Sequence, residues 1–233
     1  MLLGQHDNIT RFMKGVSNVR PPSSKYNNIW DPAPVLEYLG SLEPIAELTL
    51  EKLTMKLIGL LSLATAQRVQ TLHSIKLSNI HEHSLGLEIF ISDQIKTSKP
   101  GREQPCLLLP TFTNHPEWCL VRTIKSYIEC TRSKRAHSED SLFISYMNPF
   151  KAVAKPTVSR WIKSILSQSG ININLFSAHS TRHASTSAAA RRGVDVDQIR
   201  QRAGWTPSSS TFSRFYNRPV DNRASFANAL INQ

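Results

Sequence analysis

Between residues 44 and 63, apolar side chains recur at Leu50, Leu53, Leu57, Leu60 and Leu61. Intervals of three and four are those of a helix, and the apolar stripe is wide. Such a helix is expected to be well buried, with the rest of the chain packed around it. Length allows this. A chain of 233 residues can hide roughly 70–75% of its unfolded surface and form one large domain, or one domain with a short appendage. A hydrophobic fraction of 40%, with Trp, Phe and Tyr all present, argues against intrinsic disorder.

Around that helix the other elements can be placed. Residues 1–20 carry a weak apolar rhythm (Ile9, Phe12, Met13, Val16) that suits a short helix. Residues 20–34 are dense in Pro, Ser and Asn. Proline fixes φ and lacks an amide donor, so this stretch is expected to be an extended linker, with Trp30 anchoring it to the main body. A division follows: 1–43 as a short helix with a Pro-rich linker, and 44–233 as the main domain. Residues 66–72 continue the helical pattern and end near His73. Residues 85–92 and 105–110 suit two strands of a hairpin with a basic, turn-rich tip. Helices are expected over 117–132, 156–168, 178–192, 195–203 and 208–216, and a short strand over 141–145. Gly193 suits a helix end, and Pro207 a turn. The expected class is mainly α with a small antiparallel β-sheet.

Charge narrows the partners. Lys and Arg total 28 against 17 Asp and Glu, a formal net charge of +11. This excess points to a polyanion, nucleic acid before an anionic membrane surface. No apolar run reaches the roughly 18 residues of a membrane span, and the N-terminus has no signal-peptide pattern. Cys106, Cys119 and Cys130 form no CxxC pair and cannot all pair within the chain, which suits reduced thiols in an intracellular protein. No glycine-rich nucleotide loop occurs. His81 and His83 flank a glutamate, but two ligands are few for a metal, and an exposed loop is the simpler account. His179 and His183 are four apart without the glutamate of a zinc-protease motif.

The C-terminal third holds the strongest pattern. Ser177-Ala-His179-Ser-Thr-Arg182-His183 is followed by Ala203-Gly204-Trp205, then Phe212-Ser-Arg-Phe215-Tyr216. His179 and Arg182, three apart, share a helix face. Upstream, Arg68 ends the buried helical region and Lys96 sits at the basic hairpin tip. Singly, each has an ordinary explanation: a helix-end ion-pair partner, a solvated lysine, a satisfied histidine, a core tryptophan, an aromatic stripe residue. The order and spacing of all six carry the argument.

In that order and approximate spacing the set resembles the tyrosine recombinase (phage integrase) family. The wording AHSTRHASTSAAARRGVDVDQI and the RPP…WDPAPVL linker look most like recombinases of eukaryotic DIRS-type, Ngaro-type or Crypton mobile elements. The resemblance covers about residues 20–220. It implies Arg68 and Arg182 as a clamp on a phosphodiester, where planar guanidiniums fork onto non-bridging oxygens. It implies Tyr216 as nucleophile, His179 as acid–base for its phenol, Lys96 as acid for the departing 5′ oxygen, and Trp205 as donor to phosphate and packing residue. Lys96 is preferred to its neighbour Lys99, and Tyr216 to Tyr146, which precedes the His-x-x-Arg. The implied product is a 3′-phosphotyrosine link formed without cofactor, metal or ATP. The implied partner is double-stranded DNA, held by a homo-oligomer, a tetramer on synapsed DNA. Nuclear localisation is implied by the eukaryotic elements alone. Basic pairs at Lys134-Arg135, Arg191-Arg192 and Arg200/Arg202 are candidate phosphate contacts.

The chain departs from the family pattern in places. Thr71 stands where many members carry an acid. Trp205 replaces the commoner His, and Tyr216 lies a residue or two farther from it than in many relatives. Only about 20 residues precede the linker, where complete members carry a core-binding domain. Apolar Phe226, Leu230 and Ile231 in the tail suit docking on a partner subunit or on the same domain. Two alternatives stand beside the recombinase: a domesticated, non-catalytic DNA-binding module, and a type IB topoisomerase-like relaxing enzyme.

Overall fold

The computed structural model describes residues 6–220, apart from Pro22 and Arg102; the apolar tail positions lie outside the described residues. The class is as expected, mainly helical with one small antiparallel sheet. Helix α3 (Leu50–Thr65) is the axis of the fold, with Leu53, Leu57, Leu60 and Leu61 all buried. Thr49 caps it, its hydroxyl accepting from the Lys52 amide. The helices α2 (Ala33–Ser41), α5 (Leu120–Arg132), α6 (Lys155–Gln168) and α7 (Ser180–Arg191) pack around it. Gly59 permits the closest approach. A Cβ there would lie 2.8 Å from Leu39 of α2 and 3.3 Å from Ile165 of α6. The layout follows from the apolar stripe: a helix wet on no side needs neighbours on every side.

The sheet has the order β1 (Ile80–His83), β2 (Gly86–Phe90), β3 (Cys106–Pro110). Leu87 faces Leu109 and Ile89 faces Leu107, which puts these four side chains on the core side. Strand β1 was not expected. Its sequence, Ile-His-Glu-His, has one apolar residue, and as an edge strand with three exposed positions it shows no alternation to find.

Other departures have physical causes. Helix α2 begins within the stretch expected to be linker, because Pro34 falls in its first turn, where the missing amide costs nothing. Residues 141–145 make only isolated bridges, Lys76 to Ser141 and Ile144 to Ala152. The expected helix over 208–216 shrinks to one π-helical turn, Phe212–Tyr216. There the Ser209 hydroxyl donates to the Thr211 hydroxyl at 2.8 Å and accepts from its amide, offering the backbone an alternative to a helix. Trp30 is buried, as expected, with its indole donating to the Ser180 hydroxyl at 2.8 Å. Tyr26, Ile29, Val35 and Leu39 join the same core.

One polar knot fixes α3 against α5. Lys56 of α3 is fully buried and donates to the Leu42 carbonyl and to Glu43, each at 2.8 Å. Glu43 also accepts from both terminal nitrogens of Arg122 of α5, at 3.1 and 3.0 Å, and from the Ile45 amide. Without Glu43, the buried ammonium loses its counter-charge. Glu43→Ala is expected to lower the unfolding free energy by about 3 kcal/mol, and Lys56→Met by less, since it removes the buried charge itself; urea midpoints decide between them.

Candidate active site

Helix α3 ends at Ala66, which is left-handed (φ 50°, ψ 25°). This turn stops the helix and aims two things at the helix carrying His-x-x-Arg. The Ala66 carbonyl accepts from one terminal nitrogen of Arg182 at 2.8 Å, and two residues later Arg68 opens α4 (Val69–His73). The other terminal nitrogen of Arg182 donates to the Ala203 carbonyl, at the end of α8 (Val196–Arg202). The guanidinium therefore ties α7 to the ends of α3 and α8.

Arg182 is fully buried, and its Nε has no hydrogen-bond partner. The face of the guanidinium lies 4.3 Å from the Trp205 ring centre and 5.5 Å from that of Tyr216. Among the described residues, no carboxylate pairs with Arg182, Arg68, Lys96 or Lys25. Burial, with the neighbouring charge of Arg68, pushes Arg182 down to about 10, so it is still charged at neutral pH. Tyr216 is the neighbour that favours its charge.

His179 caps α7, and its Nε2 lies 2.8 Å from the Tyr216 hydroxyl. Burial first, then the charges of Arg182, Arg68, Lys25 and Lys96, push its pKa down to about 4. Lys96 lies on the β2–β3 connection, and its charge is among those acting on His179. The Lys96 amide donates to the Gln70 side chain of α4, which fixes the connection against the helix that Arg68 opens. Trp205 is buried in a small second cluster with Ile199, Ala203 and Phe212, and Tyr216 packs on it at 4.7 Å between ring centres. Thus Arg68, Lys96, His179, Arg182, Trp205 and Tyr216 converge on one place. Tyr146 does not join them; it lies against Trp161, 5.6 Å between ring centres. Thr71 is buried, with its carbonyl accepting from Ser74.

Two neighbours of the site were not singled out by sequence. Lys25 donates to the Ser177 hydroxyl at 3.2 Å, two residues before His179. His183 stacks on the Tyr216 ring, 3.9 Å apart and 14° from parallel. Burial, then the charges of His179, Arg182 and Arg218, push His183 down to about 3, against a backbone hydrogen bond with Phe215. The signal for His183 was its i, i+4 spacing from His179, weighed only as a metal motif. His81 and His83 lie on the exposed strand β1, and among the described residues no group of three or more His, Cys, Asp or Glu is placed to hold a metal ion. No helix among the described residues is long and apolar enough to cross a membrane.

The site can hold an anion and accept a proton. Among the described residues its cations have no carboxylate partner, and its histidines are neutral at physiological pH. The pH dependence of stability follows. Both histidines take a proton more readily unfolded (6.5) than folded, so stability is full above pH 6.5 and is lost as pH falls towards 4. A falling melting temperature between pH 6.5 and 4.5 is expected, and His183→Phe is expected to flatten that slope in thermal melts.

The sequence pattern of the phage integrase family matches residues 42–223. No curated protein matches the chain in sequence. Among solved structures, it resembles XerA recombinase, at 18% identity and a TM-score of 0.61 over 95% of this chain and 72% of that one. It also resembles XerH site-specific recombinase bound to difH substrate, at 15% identity and 0.62, over 90% of this chain and 54% of that one. A lambda integrase tetramer bound to a Holliday junction matches at 17% and 0.51, over 92% and 58%. The chain therefore spans little more than half the length of the XerH and lambda integrase chains. At these identities the likeness is one of fold.

Proposed function

The chain belongs to the phage integrase family, and from that membership we propose that it cleaves and rejoins DNA strands through a covalent bond to Tyr216. The observation that carries this is the fully buried Arg182 guanidinium with an unpaired Nε, no carboxylate beside it among the described residues, and the Tyr216 phenol within reach of a neutral histidine. A buried cation without a counter-charge is costly. A phosphodiester oxygen supplies the missing charge.

The phosphodiester sits against Arg182 and Arg68, whose fixed charge stabilises the extra negative charge of the pentacovalent transition state. The Tyr216 hydroxyl donates to Nε2 of neutral His179, which takes the proton as the phenol oxygen attacks phosphorus. The bond from phosphorus to the 5′ oxygen breaks, and Lys96 delivers a proton to that oxygen. DNA is left joined to Tyr216 by a 3′-phosphotyrosine bond. A new 5′ hydroxyl reverses the steps, and the bond energy is conserved. Trp205 holds the guanidinium face and the phenol ring in register. The XerH structure with its substrate and the lambda integrase tetramer on a junction support double-stranded DNA as partner and a homo-oligomer as the working form.

The test is covalent capture on a 5′-bridging-phosphorothiolate duplex in EDTA, read on a denaturing gel. Wild type is expected to give a protein–DNA band and Tyr216→Phe none. Arg182→Lys keeps the charge but loses the fork, and is expected to slow capture by about 10²–10³-fold. A band that persists in Tyr216→Phe would reject Tyr216 as nucleophile. No band, with salt-sensitive binding intact, would favour a binding module. Lys25→Ala is expected to weaken binding equally across DNA sequences and to reduce the salt slope by about one.

A further inference from the structure

The Tyr216 ring is held by more than the groups the reaction uses. His183 lies face to face with it at 3.9 Å and is itself only 4% exposed. Its Nδ1 makes no hydrogen bond, and it meets the phenol through the ring face. Behind His183 stands Tyr26, edge-on at 5.0 Å and 89°. Tyr26 belongs to the Pro-rich segment that enters the domain, and its hydroxyl lies 2.9 Å from the Ser177 hydroxyl.

The same segment is stitched to the turn that carries the nucleophile. The Ser24 hydroxyl shares its proton between the Tyr26 carbonyl at 2.7 Å and the Phe215 carbonyl at 3.3 Å, and accepts from Arg218 Nε at 3.0 Å. The Ile29 amide donates to the Pro219 carbonyl at 2.9 Å. Residues on both sides of Tyr216 are thus fastened to residues 24–29. Trp30, next along, is fastened to Ser180 at the start of α7. One short segment touches the nucleophile's turn, the acid–base helix and the ring that backs the phenol.

We propose that His183 and Tyr26 form a bracket that positions the Tyr216 ring for attack, so that the segment entering the domain governs whether the nucleophile is seated. The inference rests on Tyr216 being the nucleophile. His183 and Tyr26 act through Tyr216 and are positioning residues. The His183 ring stacked on the phenol, and Tyr26 edge-on behind it, restrict rotation about the Tyr216 side-chain torsions and leave the hydroxyl facing His179 Nε2. A pull on residues 24–29 is transmitted to Phe215 through the Ser24 hydroxyl and to Pro219 through the Ile29 amide.

The experiment reads ring position and activity separately. The protein is labelled with 3-fluorotyrosine at its five tyrosines, and the Tyr216 ¹⁹F resonance is assigned by its loss in Tyr216→Phe. A ring stacked at 3.9 Å shifts that resonance from its unfolded position. His183→Ala is expected to move it back towards the unfolded position, Tyr26→Ala to move it part of the way, and His183→Phe to keep it shifted. In single-turnover capture at saturating DNA, His183→Ala is expected to slow adduct formation by up to about 100-fold, with DNA affinity changed by less than about twofold. His183→Phe, which keeps the flat ring, is expected to recover most of the rate. Should His183→Ala not fold, His183→Leu fills the space without a flat ring and takes its place. A Tyr216 resonance unmoved by loss of the His183 ring overturns the bracket, as does a Phe variant as slow as Ala. Failure of wild type to form any adduct would sink the nucleophile reading instead, and the resonance would still decide whether the bracket exists.

Discussion

The structure turns on a charge placed where water cannot reach it. Arg182 stands with no exposed surface, bonded to the last carbonyls of two helices and stacked on Trp205. Arginine tolerates this better than lysine, because a planar, weakly hydrated ion can spend its donors on carbonyls and its face on an indole. Those bonds also build the site. Because one guanidinium joins the ends of α3 and α8 to α7, the Ala66 turn, the Trp205 ring and the His179 cap are set relative to one another by a single side chain. The left-handed Ala66 belongs to the same account. Its backbone strain is compensated by the bond its carbonyl accepts from Arg182.

Burial first, and then the cations of the site, set the protonation of its histidines. Burial, then Arg182, Arg68, Lys25 and Lys96, keep protons from His179, and burial, then His179, Arg182 and Arg218, keep them from His183. A neutral imidazole beside a phenol is a proton acceptor. An arriving anion partly cancels the cationic field, which raises the affinity of His179 for a proton. On the proposed reading, His179 becomes the stronger base as the substrate seats. Binding and activation draw on one electrostatic balance.

How much of this the sequence disclosed depended on whether the signal was local. The α3 stripe, the β2–β3 pair and the six-residue order are patterns of spacing, and spacing survives in one dimension. Pro34 misled because proline reads the same in a linker and in a first helical turn. Strand β1 was hidden because an exposed edge strand has no alternation. The serine-rich start of the 208–216 stretch mimicked a helix, but its hydroxyls bond each other. The parts of the site that escaped notice, Lys25 and His183, owe their places to tertiary contacts. Lys25 comes from 152 positions before its Ser177 partner, and His183 matters for the ring it stacks on.

The site also rests on unequal supports. Arg182 and His179 stand on α7, which packs against α3 in the main core. Tyr216 instead packs on the four-residue cluster of Ile199, Ala203, Trp205 and Phe212. Apolar burial stabilises by roughly 25 cal/mol per Å², so so small a cluster opens at lower free energy than the body of the fold. Residues 24–30 compensate. Their hydrogen bonds to Phe215, Pro219 and Ser180 tie the weakly cored turn to the strongly cored domain. On the proposed reading, clamp and acid–base sit on the main core, while the attacking group sits on a turn fastened by residues 24–29 and by Ser187 of α7, whose hydroxyl donates to the Tyr216 carbonyl and accepts from the Arg218 amide. In the role proposed for Tyr216, a nucleophile moves onto phosphorus and later leaves it, which a turn held by a few hydrogen bonds permits and a place in the main core would not.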